Sequence, residues 1–198
     1  MSIRQIRFDH QQIPLARLTN DAQQATHLDH FFELLVDEPL EKALREVLFR
    51  HREAVLRIVS DRPPRFQNLP GNQVEYIPWT LQNQVGLIQE MTVGIMPLDD
   101  TVVSRGKCSF KMLLYMACGL PVVVSPVGMN AEVLDQDNVG FAASCGADWV
   151  VHLDELLREP QKGINMGTVG RELVVKRYSV AALAPQLAKT LAKVAGRV

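Results

Sequence analysis

Three consecutive valines, Val122 to Val124, lie in the stretch Gly-Leu-Pro-Val-Val-Val-Ser-Pro at residues 119–126. A strand with one face in water alternates apolar and polar side chains, and this run lacks that alternation. Both faces of the run are therefore expected to be covered, which is typical of a parallel strand between two layers of helices. The valines thus predict an α/β fold.

The other segments alternate between strand and helix patterns and support that fold. Short β-branched runs predict strands at residues 54–61, 73–79, 92–98 and 139–144. Apolar periodicity predicts helices at residues 80–91, 106–118, 147–160, 166–178 and 179–198. Residues 27–51 have a helical pattern interrupted at Pro39, which predicts one kinked helix or two short ones, and residues 130–138 are expected to form a short helix or a turn. Gly119 is expected to end the helix that precedes the valine run. This order predicts a Rossmann-like parallel sheet with right-handed crossovers, flanked by helices.

The length of the chain fits a single domain. Its 198 residues are 47% hydrophobic, which is enough to build one well-packed core. Residues 1–26 are polar, rich in glutamine and poorly defined, with one edge strand expected at residues 3–8. Residues 27–198 are expected to form the domain.

Charge and cysteine content argue against several classes of protein. A net charge of −1, with basic residues spread along the chain, is not typical of a nucleic-acid-binding protein. The chain has three cysteines, Cys108, Cys118 and Cys145, an odd number without a CxxC pair. This pattern favours the reducing cytoplasm over a disulfide framework or a zinc site. The sequence has no signal-peptide core and no apolar run of about 18 residues, so a soluble cytoplasmic protein is expected.

No metal site is predicted. His27 and His30 lie three residues apart without a third ligand nearby, and Asp99 and Asp100 have the pattern of a turn. Cys118 has apolar neighbours and is expected to be buried rather than reactive.

The start of the helix before the valine run carries an unusual concentration of positive charge. Arg105, Lys107 and Lys111 would repel the positive end of the helix dipole and one another, which costs stability unless solvent or an anion relieves it. On a continuous helix Lys107 and Lys111 share one face, and Leu114 continues that face. Gly106 would let the backbone approach a ligand. The cations and the free amides of the first turn suit a diphosphate, although a solvated helix face has the same pattern.

Several segments, taken in order, resemble one enzyme family. They are YIPW at residues 76–79, VGIMPLDD at 93–100, SRGKCSFKMLLYMACGLPVVVSPVGMNAEVL at 104–134, GFAAS at 140–144 and MGTVGRELVVKRYS at 166–179. In order and spacing they are similar to the C-terminal, donor-binding half of retaining GT-B glycosyltransferases of the group 1 family. The resemblance covers about residues 53–190.

The resemblance implies one half of a GT-B fold, whose cleft binds a nucleotide diphosphate sugar without a metal or other cofactor. It places the nucleobase and ribose against Ile77, Pro78, Trp79, Thr80 and the position of Leu114. It places the diphosphate against Ser104, Arg105, Gly106, Lys107 and Lys111, with Glu132 elsewhere in the cleft. It identifies no catalytic residue in this half.

Two departures from the family pattern weaken the nucleotide binding that is expected. The family places an acid that binds the ribose hydroxyls at position 114, where this chain has Leu114. The loss of such a charge-assisted pair of hydrogen bonds corresponds to about 1.5–3 kcal/mol. The glycine-rich loop that the family carries after its first strand has no clear counterpart in residues 1–30.

The resemblance leaves two functions open. In the first, the chain is the donor-binding domain of a hexosyltransferase that builds a polysaccharide, lipopolysaccharide or glycolipid in the cytoplasm or at the inner face of the membrane. It would be active only with an N-terminal GT-B half, would reach a membrane only through partners, and would otherwise cover its open cleft in a homodimer. In the second, it is a degenerate Rossmann module that serves interaction or assembly. A dehydrogenase is disfavoured because no G-x-G-x-x-G follows a strand.

Overall fold

The computed structural model describes residues 38–64 and 66–196. In this part of the chain the strands are β1 Leu56–Ser60, β2 Val74–Pro78, β3 Gly94–Met96, β4 Val122–Val124 and β5 Gly140–Ala142. The helices are α1 Glu38–Arg50, α2 Gln84–Gln89, α3 Val102–Arg105, α4 Phe110–Ala117, α5 Met129–Leu134, α6 Gly146–Arg158, α7 Pro160–Arg177 and α8 Val180–Val194. The strand predicted at residues 3–8, the helical pattern before Glu38 and the domain boundary after residue 26 lie outside the described residues.

The described strands pair in parallel and form two sheets. In the first sheet β1 pairs with β2, with Leu56 opposite Val74. In the second sheet β4 lies between β3 and β5, so that Val122 is opposite both Gly94 and Gly140. The Rossmann-like α/β fold with parallel sheets flanked by helices, predicted from the sequence, is confirmed.

The valines of β4 contact a different layer of helices on each face of the sheet. Val123 belongs to a core cluster with residues of α1 and α6, among them Leu44 and Leu153. Val122 and Val124 belong to a second cluster, formed mainly by α4, α5 and α7. All three valines have 0% of their surface exposed. Neither face of the strand reaches water, which explains why the run contains no polar residue.

The turn from α4 into β4 packs directly against α7. Gly119 follows α4 with a φ of 80°, the left-handed conformation that favours glycine at a helix end, as predicted. A Cβ atom on Gly167 of α7 would lie 1.9 Å from the carbonyl oxygen of Gly119. The two backbones can touch only because Gly167 has no side chain.

The last helix, α8, contributes no buried residue to either core cluster. Its large apolar side chains are exposed: Val180, Leu183, Leu187, Leu191 and Val194. Among the described residues, no helix has both the length and the apolar character needed to cross a membrane.

Candidate functional site

Two loops meet at the carboxyl ends of β3 and β4. The backbone N–H of Leu98, just after β3, donates to the hydroxyl oxygen of Ser125, just after β4, over 2.9 Å. A Cβ on Gly128 would lie 2.5 Å from the carbonyl oxygen of Arg105, and its φ of 55° also favours glycine. Ligands of open parallel sheets bind at this edge, so the two loops define the candidate site.

A groove of about 1550 Å³ connects this edge with the space between the two sheets. The groove brings together part of the site predicted from the sequence, because its lining includes Trp79, Gly106, Lys107, Lys111 and Leu114. The other predicted residues are not among those that line it: Ile77, Pro78, Thr80, Ser104, Arg105 and Glu132. Trp79 and the two lysines are therefore the predicted residues that can share one ligand in this groove.

Two of the residues predicted to bind diphosphate are held by acids of their own loop. The side chain of Thr101 caps α3 by accepting from the N–H of Ser104 at 3.2 Å. The buried hydroxyl of Ser104 donates to the carboxylate of Asp99. Arg105 donates to both carboxylate oxygens of Asp100, at 2.6 and 2.8 Å, and these bonds lower the pKa of that carboxyl. The turn predicted at the two aspartates thus fixes the conformation of the loop.

The prediction that one helix begins at Gly106 and carries both lysines is wrong. The chain turns through Ser109, whose φ is 51°, and α4 begins only at Phe110. Lys107 therefore lies in the turn before the helix, and helical spacing does not place it beside Lys111. The two cations nevertheless interact across the turn, because the charge of Lys107 lowers the pKa of Lys111.

Lys111 is a partly buried cation at the edge of the groove. Its pKa is lowered to about 7, first by burial and then by the charge of Lys107, while the carboxylate of Asp61 acts in the opposite direction. The ammonium and the neutral amine are both populated near neutral pH, and a bound anion would favour the ammonium. Asp61 is not among the residues predicted from the sequence, although its position directly after β1 is a signal that could have identified it.

The loop after β2 holds Trp79 in a fixed orientation on the wall of the groove. The backbone N–H of Trp79 donates to the carbonyl of Ser60 at 2.8 Å, and its indole N–H donates to the side-chain oxygen of Gln84 at 3.1 Å. Thr80 and Asn83 each accept a hydrogen bond from the other's backbone N–H, at 3.1 and 2.9 Å. The helix that was predicted from Thr80 therefore begins at Gln84, a buried residue that no sequence signal indicated.

The remaining predicted residues lie on α4 and α5. Leu114 lines the groove one helical turn after Lys111 and offers no hydrogen-bond acceptor. Glu132 is exposed on α5, whereas Asn130 of the same helix is fully buried and donates to the carbonyl of Ser125 at 3.0 Å. Among the described residues, no three His, Cys, Asp or Glu side chains are placed to hold a metal ion.

Comparisons with known proteins find relatives of this arrangement. A family model described as glycosyl transferases group 1 matches residues 35–159. The structure of sucrose-phosphate synthase from Thermosynechococcus elongatus is similar, with a TM-score of 0.61 and a sequence identity of 16%. The match covers 87% of this chain and 49% of the synthase chain, so this chain spans about half the length of that protein. A search of curated proteins finds no match.

Proposed function

Because the chain belongs to the group 1 glycosyltransferases, a family whose model matches more than half of it, we propose that it binds the nucleotide diphosphate sugar donor of a glycosyl transfer. The diphosphate of the donor would lie beside Lys107 and Lys111, and its base would lie near Trp79. These residues line one groove at the carboxyl edge of the sheets. No metal is needed in this proposal, since two ammonium groups supply the positive charge.

The observation that carries the proposal is the pair of cations at the edge of the groove. Keeping the ammonium of Lys111 charged is costly because burial and Lys107 both disfavour it. Such costly groups are more frequent at functional sites than in ordinary surface pairs, because a bound ligand can compensate for the cost. A diphosphate has the charge that would compensate for both Lys107 and Lys111.

The lysines would act on the leaving group of the reaction. In glycosyl transfer the bond between the anomeric carbon and the diphosphate oxygen breaks, and a hydroxyl oxygen of the acceptor forms the new bond and loses its proton. The negative charge that develops on the diphosphate would be stabilised by Lys107 and Lys111. The proposal assigns no base to this chain.

The acceptor would be bound elsewhere. The chain spans about half the length of the synthase that it resembles, which supports a second half or partner subunit that carries the acceptor site. We propose a glycan or glycolipid acceptor and action in the cytoplasm, with any contact to a membrane made through that partner. A homodimer is the alternative arrangement.

Titration calorimetry of the full chain with UDP, GDP and ADP tests the donor site. We expect one of the three to bind, and Lys111→Ala to weaken that binding at least about tenfold, which equals about 1.4 kcal/mol. Lys189→Ala is the matched control, because Lys189 is exposed on α8 and its replacement removes the same charge away from the groove. Absence of binding by all three nucleotides up to about 10 mM would contradict the proposal.

A second candidate function is supported by three features of the same site. Leu114 offers nothing to a ribose, and the side chains of Ser104 and Arg105 are engaged by Asp99 and Asp100. These features suit a module that has lost its nucleotide and now serves assembly. The calorimetric titration separates the two functions, since only the donor site binds a nucleoside diphosphate.

A further inference from the structure

Asp61 and Trp79 are neighbours at the carboxyl edge of the first sheet. They directly follow the parallel strands β1 and β2, whose last residues, Ser60 and Pro78, lie opposite each other. The backbone N–H of Trp79 donates to the carbonyl of Ser60 at 2.8 Å, which continues the ladder of hydrogen bonds to this point. Ser60 is buried, and its hydroxyl donates to the carbonyl of Arg62 at 2.7 Å across the turn that carries Asp61. The backbone therefore fixes the place of Asp61 beside Trp79.

Asp61 also lies within electrostatic reach of Lys111. Its carboxylate favours the ammonium of Lys111, against the combined effect of burial and the charge of Lys107. Asp61, Lys111 and Trp79 all line the groove. Asp61 thus adjoins both the residue proposed for the base and the lysines proposed for the diphosphate. In a nucleoside diphosphate, the ribose is the part that joins the base to the diphosphate.

The other acids that line the groove lie elsewhere along the strands. Among the described residues these acids are Glu53, Glu75 and Glu90. Glu53 precedes β1, Glu75 is the second residue of β2 and Glu90 precedes β3, so all three lie toward the amino ends of the strands. Arg57 donates to Glu75 and Glu90, at 2.7 and 2.8 Å. In this part of the chain, Asp61 is therefore the acid of the groove at the edge where parallel sheets bind their ligands.

A carboxylate close to a diphosphate site needs a compensating role, because like charges repel. Leu114, one helical turn after Lys111, offers no acceptor to a ribose. A carboxylate has about four acceptor positions, so Asp61 can attract the ammonium of Lys111 and still accept from two hydroxyls. Its side chain is 34% exposed, and the guanidinium of Arg62 stands 4.0 Å away, beyond hydrogen-bond distance. The carboxylate can therefore reach a ligand in the groove.

We propose that Asp61 binds the ribose of the nucleotide, with its carboxylate accepting hydrogen bonds from the 2′ and 3′ hydroxyls. This assignment rests on the proposed donor site and adds a residue that determines its specificity. The acid that binds the ribose comes from the loop after β1 and not from α4, where Leu114 stands. The site then selects ribonucleotides over nucleotides that lack these hydroxyls.

Titration calorimetry of the full chain with UDP, GDP and ADP, and with their 2′,3′-dideoxy forms, tests the proposal. We expect the wild type to bind one ribonucleotide at least about tenfold more tightly than its dideoxy form, as hydrogen bonds to a charged group would give. Asp61→Ala should reduce that ratio to within about twofold. Asp61→Asn, which keeps one acceptor, should give an intermediate ratio. Glu53→Ala is the matched control, because it removes a carboxylate at the opposite end of the groove and should leave the ratio unchanged.

The results that would overturn this assignment differ from those that would overturn the donor site. If the wild type binds the ribonucleotide and its dideoxy form equally well, Asp61 does not bind the ribose, although the donor site stands. If Asp61→Ala weakens both forms by the same factor, Asp61 acts only through the charge of Lys111, and the assignment is again wrong. If none of the nucleotides binds, the donor site fails and the ribose assignment fails with it.

Discussion

Gly167 of α7 lies so close to Gly119 that a Cβ atom added to Gly167 would stand 1.9 Å from the carbonyl oxygen of Gly119. That oxygen belongs to the backbone of a tight turn and cannot move away as a flexible side chain would. We expect Gly167→Ala to lower the free energy of unfolding by about 2–3 kcal/mol, even though alanine has the higher helix propensity. Urea unfolding followed by circular dichroism measures this change.

Gly86→Ala on α2 is the control for that prediction. Among the described residues, no atom outside the chain neighbours of Gly86 and the backbone of its own helix lies within 4 Å of a Cβ at this position. The substitution should therefore stabilise the protein by about 0.5–1 kcal/mol through helix propensity alone. Equal effects of the two substitutions would contradict the contact between α7 and the turn.

Replacement of Lys111 by methionine should change how stability depends on pH. Folding lowers the pKa of Lys111 from 10.5 to about 7, so between these values the unfolded chain binds more protons than the folded one. The stability contributed by this site therefore rises with pH across that range. We expect the advantage of Lys111→Met over the wild type to be largest below pH 7 and to shrink as the pH approaches 10. Urea unfolding at several pH values measures the difference, and a constant difference would contradict the lowered pKa.

If the chain has the proposed donor site, the protein should take up a proton when it binds a nucleotide. At pH 8 most Lys111 side chains are neutral, and a bound diphosphate would favour the ammonium, so up to about one proton should be taken up for each UDP bound. Calorimetry in buffers with different ionisation enthalpies measures this uptake. The Lys111→Met variant lacks this titrating amine, so it should take up fewer protons for each UDP bound than the wild type does. Identical proton uptake by the two proteins would exclude Lys111 as the group that titrates.

Leu114→Glu tests whether the groove has lost a ribose ligand. Glutamate is a good helix former and would offer acceptors to the two ribose hydroxyls, so UDP binding should tighten by about 1–2 kcal/mol. Leu114→Gln introduces a side chain of nearly the same shape as glutamate but without its charge, so it should give a smaller gain in UDP affinity. Calorimetry and a melting curve are run together on each variant. A lower melting temperature without tighter binding would show that position 114 is purely structural.

Ser125→Ala should destabilise the protein at the junction of the two loops. The backbone N–H of Leu98 would lose its acceptor in a buried environment, at a cost of about 1–3 kcal/mol. Ser144→Ala provides the comparison, because Ser144 is exposed and its replacement should change stability by less than about 0.5 kcal/mol. Chemical denaturation measures both variants.

Features that depend on a few neighbouring residues could be predicted from the sequence. The valines of β4 indicate a strand covered on both faces because they include no polar residue, and the structure places helices on both sides. Gly119 indicates the end of α4 because glycine takes the left-handed conformation with little cost. β1 and β2 were predicted on the same local grounds.

The start of α4 could not be predicted in this way. Ser109 adopts a φ of 51°, a conformation that is uncommon for serine, so the helix was placed at Gly106 instead. The spacing argument for the lysines failed for that reason, although Lys107 still acts on Lys111 through the turn. The pairing of the described strands, β1 with β2 and β4 between β3 and β5, joins segments that are distant along the chain, which no local pattern encodes.

The hydrogen bond between Leu98 and Ser125 has a consequence for how this protein could change during evolution. The bond joins the second residue after β3 to the first residue after β4, so the spacing between the loops is set by the sheet and not by the loops themselves. A substitution elsewhere in either loop can then alter the ligand preference without moving the frame that carries it. New specificities can therefore arise one side chain at a time, while selection for folding acts mainly on the sheet and its junction.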